Sequence, residues 1–167
     1  TLKRQLKEIR KAESLDILTL TDENGQVIAR SRNPSVYGDS QAHDELVSRV
    51  LSGTQVIGAT AIVPRAELVK EGTDITEQAY IKFIPTPKAK PSLETEQTSA
   101  MCVKAAAPVF GYDGNLIGVL YGGNLLNRNY KIVDRVKEIV YQEVKYKGKD
   151  IGTATIFQGD LRISTNV

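Results

Sequence analysis

Residues 101–126 read MCVKAAAPVFGYDGNLIGVLYGGNLL, and this stretch constrains the fold more than any other. Two apolar runs flank Asp113-Gly114. Asp-Gly between apolar runs is a strong hairpin signal, because both residues tolerate the positive φ of a tight turn. Cys102, Ala105, Ala106, Ala107 and Val109 lie on the first arm, and Leu116, Ile117, Val119 and Leu120 on the second. Neither arm has a consistently polar face, and a strand apolar on both faces is central and covered on both sides. The hairpin is therefore expected in the middle of an antiparallel sheet.

Two more hairpins are expected on either side of it. In residues 15–32, LDILTLT and QVIARSR flank a turn ending in Asn24-Gly25. Strand alternation places Ile28, Arg30 and Arg32 on one face, either as the wet face of an edge strand or converging on an anion. In residues 151–167, Gly159-Asp160 marks a turn between arms rich in β-branched residues. Helical spacing appears in residues 1–14 through Leu2, Leu6, Ile9 and Ala12. It recurs in residues 40–52, capped by Asp39 or Ser40 and ended by Gly53, and from Asn127 or Asn129 to about 143. In that last helix Ile132, Val133, Val136, Ile139 and Val140 form a one-sided stripe. Residues 56–63 read as a strand, Pro64 opens a short helix, and residues 75–84 suit helix or strand. Residues 85–99, with three prolines and little that is apolar, read as a loop or exposed flap. Hairpins separated by helical connections, without βαβ alternation, give an α+β domain.

Composition excludes several functions. A net charge of +2 over 167 residues, with no Lys/Arg block on one element and no Trp, gives no basis for a nucleic-acid partner. The single Cys102 rules out a disulfide framework and a cysteine zinc site, and reads as a small core residue. His43, the one histidine, has no second imidazole nearby, so neither a metal site nor a nucleophile–base pair is expected. Gly122-Gly123 follows a strand without any phosphate-loop continuation, and serves close packing or a bend. No enzyme constellation or cofactor is expected, and no apolar run reaches the length of a membrane span. The chain starts at Thr1 within a helix and ends at Val167 within a strand, as a piece of a longer protein would.

What remains is a set of cationic and phenolic groups around the central hairpin. Lys104 stands in an apolar strand, where it must reach solvent, pair with a carboxylate or face a polar cavity. Tyr121 ends the second arm, Tyr37 and Tyr80 lie in connections beside the sheet, and Arg65 follows the run 56–63. Each has a plain structural role open to it. Together with Arg30 and Arg32 they suit a small-ligand pocket, and arginine favours a carboxylate or phosphate.

The pieces DENGQVIARSRNPSVYGD, AAAPVFGYDGNLIGVLYGGNLLNRNYKIVDRVKEIV and GKDIGTATIFQGDLRISTNV resemble the Cache family, the PAS-like extracellular sensor domains of bacterial chemoreceptors and membrane histidine kinases. The resemblance runs from about residue 15 to 167. It implies a PAS-like antiparallel sheet flanked by helices, with a long N-terminal helix (residues 1–14) continuing a membrane span. A small metabolite, a carboxylate or amino acid, would bind between the sheet and its connections, in a domain facing the periplasm or extracellular space. Arg30, Arg32, Tyr37, Arg65, Tyr80, Lys104 and Tyr121 are the ligand-binding candidates by position. The family also allows a homodimer through the N-terminal helix, and its relatives continue beyond the point where this chain ends. The alternative is a ligand-free intracellular PAS-like domain that dimerises or binds another protein.

Overall fold

The computed structural model describes residues 1–84, 94–142 and 144–166. Helix α1 (Leu2–Ala12) precedes a hairpin of β1 (Ile17–Asp22) and β2 (Val27–Arg30). Helix α2 (Glu45–Gly53) leads into β3 (Ile57–Val63), followed by the short helices α3 (Arg65–Glu71) and α4 (Thr73–Ala79). The two-residue strands β4 (Ile81–Lys82) and β5 (Glu96–Gln97) pair with each other. Next come β6 (Ala100–Phe110), β7 (Leu116–Leu125) and α5 (Tyr130–Tyr141). The chain finishes with two small hairpins, β8 (Lys145–Tyr146) with β9 (Lys149–Asp150), and β10 (Thr155–Gln158) with β11 (Leu161–Thr165).

The architecture is α+β. Five antiparallel strands in the order β2-β1-β7-β6-β3 form the main sheet, with β7 at its centre. The Asp113-Gly114 hairpin thus takes the middle of the sheet, its turn closed by Gly114 at φ 80°. The two sheet faces differ. On the inner face Ile17, Cys102, Ala106, Val119, Tyr121 and Leu125 pack against Leu46, Val47 and Val50 of α2, and against Leu68 and Ile75 of α3 and α4. On the outer face α1 covers only the β1–β2 side, where Leu6 meets Leu18 and Ala29.

The expectation of cover on both sides therefore fails along β6, where Val103 and Ala105 are exposed on the outer face. Ala105 stands between Gly58 and Gly122 of the neighbouring strands, and these three supply too little apolar area to demand a second layer. The N-terminal helix, expected to be long, has 11 residues. The α2 cap is Asp44, whose Oδ1 accepts from the amides of Leu46 and Val47, rather than Asp39 or Ser40. The helix therefore begins later than expected, His43 precedes it, and Thr54 instead of Gly53 takes the left-handed position at its end. The α5 stripe is one-sided but mostly uncovered: Val133 is buried, while Val136, Ile139 and Val140 are exposed. Helical spacing identifies such a face without specifying what packs on it. Of the expected flap, residues 85–93 lie outside the described residues, as does Val167, and Glu96–Gln97 forms β5.

Gly122-Gly123 serves close packing. A Cβ at Gly123 would stand 2.5 Å from the Val103 carbonyl oxygen and 2.9 Å from Cys102 Sγ, both on the neighbouring strand β6. Gly123→Ala is expected to lower stability by about 1–3 kcal/mol, since the backbone must move to admit the methyl; urea unfolding of the two proteins measures the difference.

Candidate functional site

Ladder register brings the polar groups of the inner face together. A bulge between Leu20 and Thr21 places Thr21 opposite Val27 and Thr19 opposite Arg30. It breaks the expected alternation, so Ile28 stays exposed while Arg30 turns inward. Arg30 is 1 % exposed, and its charge is met on two sides. Nη1 and Nη2 donate to the two oxygens of Asp39 at 2.6 and 3.0 Å, and Nε donates to Glu71 Oε1 at 3.1 Å. Of the two readings open to this arginine, convergence on an anion is the one observed, and the anions belong to the chain itself.

Glu71 is the hub of the cluster. Burial puts it beneath the sheet face, where it accepts from Thr19 Oγ1 at 2.9 and 3.0 Å and from Tyr121 Oη at 3.2 Å. Burial pushes the Glu71 carboxyl up from its ordinary value, opposed by Arg30, Thr19 and Tyr121. Burial, and then the neighbouring Glu71, push the Tyr121 phenol well up, so it remains a donor. Desolvation pulls on Arg30, but Asp39 and Glu71 outweigh it and hold the guanidinium above its ordinary value. The hydrogen bond from Arg30 holds Asp39 well below the usual carboxylate range. Lys70 joins the outer side at 3.2 Å from Asp39 and 2.8 Å from Glu67.

Above this cluster lies a cavity of about 420 Å³. Its walls are β3 from Ala59 to Val63, Pro64 after it, Ile17 of β1 and the start of α2 at Leu46. Its polar lining includes His43, Asp44, Glu67, Glu71, Lys104 and Tyr121. Lys104 rises from β6, pairs with Asp44 Oδ2, and holds its ammonium 4.4 Å from the centre of the Tyr121 ring. Of the three routes open to a lysine in an apolar strand, it combines pairing with a polar cavity.

The seven sequence-derived candidates divide by position. Lys104 and Tyr121 line the cavity, and Arg30 lies behind its floor. Arg32 donates from Nε to the Asp16 carbonyl at 2.9 Å and pairs with Asp74, away from the cavity. Tyr37 is exposed under the ammonium of Lys3, 4.6 Å from the ring centre. Arg65 opens α3 on the surface, and the Tyr80 hydroxyl donates to Glu96 at 2.9 Å. The carboxylates at the site, Asp39, Asp44, Glu67 and Glu71, were not among the candidates. A signal for one of them existed: Glu71 stands three residues after Leu68, on the side of α3 that turns to the core. Burial pushes the Cys102 thiol up to about 12, which keeps it protonated and unreactive. Among the described residues no group of histidine, cysteine and carboxylate side chains could hold a metal ion.

Residues 124–167 match the model of the family described as Single cache domain 3. The matched segment, the C-terminal part of the chain, spans the end of β7, α5 and the two last hairpins. Cache domains are non-catalytic sensing modules, typically extracytoplasmic, that bind small ligands. The cavity-lining residues all precede the matched segment. No curated protein matches the chain. Among the described residues no helix is long and apolar enough to cross a membrane.

Two outcomes follow for the buried cluster. Arg30→Met should cost about 3–5 kcal/mol in urea unfolding, because Glu71 is left buried without its counter-charge; adding Glu71→Gln should return part of that loss. Asp39 titrates below its unfolded value, so its contribution is whole above about pH 4 and is lost as the pH falls from there toward the depressed folded value. Unfolding midpoints at about pH 7 and about pH 3 should therefore differ less in Asp39→Asn than in the parent protein.

Proposed function

We propose that this chain is the extracytoplasmic ligand-sensing domain of a transmembrane signal-transduction receptor, a chemoreceptor or a membrane histidine kinase. Its ligand is a small metabolite of the carboxylate or amino-acid class. Residues 1–14 form a stalk that continues a membrane span, and residues 15–167 form one ligand-binding domain. The observation that carries this reading is the cavity of about 420 Å³ on the inner sheet face, within the range of small-molecule sites and lined by mixed polar and apolar groups. The Cache match in residues 124–167 supports the same reading.

The fold supplies a route for the signal. Strand β1 carries Ile17 into the cavity wall and its neighbour Leu18 onto α1. A ligand that draws α2 and β3 together would bias the seating of β1, and with it the position of α1 through Leu6. Such coupling requires that the ligand bind one arrangement more tightly than the other, since equal affinity shifts nothing. An interaction module is the second reading, favoured by the exposed Val136, Ile139 and Val140 on α5.

A thermal-unfolding screen against amino acids, small carboxylates and small amines tests the proposal. A selective ligand at a hundred times its Kd should add about 2.7 kcal/mol to stability, read as a raised Tm. No shift across the whole panel, together with tight dimerisation in sedimentation, would replace the sensor with the interaction module.

A further inference from the structure

The charges that face the cavity are mainly of one sign. Asp44, Glu45, Glu67 and Glu71 all line it, and among the described residues Lys104 is the one lysine or arginine that does. That ammonium is already committed to Asp44 and to the Tyr121 ring. The nearest other cations stand behind the walls: Arg30 is held by Asp39 and Glu71, and Lys70 by Asp39 and Glu67. Asp39, Asp44, Glu67 and Glu71 thus share three cations, Arg30, Lys70 and Lys104. Arg49 reaches Glu45 at 3.8 Å on the solvent side, where both side chains are exposed and the pair is weak.

We propose that the ligand of this cavity is a small organic cation, an amine, and that the cavity disfavours anions. The inference rests on the sensor reading and departs from it in ligand class, putting an amine where that reading puts a carboxylate or amino acid. An incoming carboxylate would have to take Lys104 from Asp44 and leave Asp44 facing it across a confined space. The start of α2 offers the anion no compensation, because Asp44 accepts from its leading amides. An ammonium group displaces no cation: Glu67 accepts from Lys70 at Oε1 and from Gln41 at Oε2, both at 2.8 Å, and each carboxylate oxygen keeps a further lone pair for it. It meets Glu67, Glu45 and Asp44 around the N-terminal end of α2, with Ala59, Ala61 and Leu46 to receive its carbon chain. Glu67 suits this role. Burial pushes its carboxyl up, but Lys70 and Gln41 outweigh that and hold it below its ordinary value, so it is ionised at neutral pH. His43 Nε2 stands 3.7 Å from Glu67 Oε1, within reach of a group bound at the same carboxylate.

Calorimetric titration with ethanolamine and putrescine, set against acetate, succinate and serine, separates the alternatives. The expected result is binding of at least one amine and none of acetate or succinate. Glu67→Gln should then weaken amine binding roughly tenfold, the scale of one charge-assisted contact. Lys104→Met, which frees Asp44 and removes the cavity's own ammonium, should keep or tighten it. Binding of succinate or serine without either amine overturns the inference and leaves the sensor reading standing, and loss of amine binding in Lys104→Met overturns the inference as well. Silence from all five compounds overturns the inference, and the broader metabolite screen then decides the sensor reading.

Discussion

Arg30 is a guanidinium placed where water cannot reach it, and much of the inner face is arranged to make that tolerable. Taking one such ion out of water costs several kcal/mol, repaid only when opposite charges and well-aligned hydrogen bonds surround it. Here the compensation comes from separate parts of the chain. Asp39 arrives on the loop before α2, and Glu71 from the end of α3. Glu71 is held in turn by Thr19 of β1 and Tyr121 of β7. One cation thereby ties an edge strand, a loop, a helix and the central strand to each other. The arrangement is specific because each carboxylate must be where it is for the others to be satisfied.

That same network forms the floor of the cavity, which gives the site a rigid base and a softer roof. Glu71, Tyr121 and Lys104 are buried, whereas Asp44 and Glu67 lie nearer solvent, with Lys104 bridging sheet and helix through a single ion pair. The cavity owes its volume partly to small side chains: Ala59 and Ala61 on β3 leave space that larger residues would fill. A floor fixed by buried charge, under walls that close on it from α2 and β3, is suited to binding.

The Cache match and the cavity occupy different stretches of the chain. The matched segment supplies α5 and the last hairpins, which contact the body of the domain through bonds such as that from Gln158 Nε2 to Ser99 Oγ at 3.2 Å. The cavity is built from residues 17–121. The match therefore covers the frame at one end of the sheet, and the cavity lining lies outside it.

Local patterns in the sequence were enough for the hairpins, the α+β class and the central place of residues 101–126. Turn chemistry at Asn24-Gly25, Asp113-Gly114 and Gly159-Asp160 acts over a few residues, and two-residue alternation is visible along a strand. Lys104 and Tyr121 were also legible, because a lysine in an apolar strand and a tyrosine at its partner's end must each face something polar. The carboxylates were not. Asp39, Asp44, Glu67 and Glu71 look like ordinary surface acids in sequence, and only the packing of α2 and α3 on the sheet brings them to Arg30 and Lys104. The bulge that turns Arg30 inward is likewise a property of strand pairing, not of residue type. Charge pairing across tens of residues depends on where the chain returns to itself, and that is decided by tertiary structure alone.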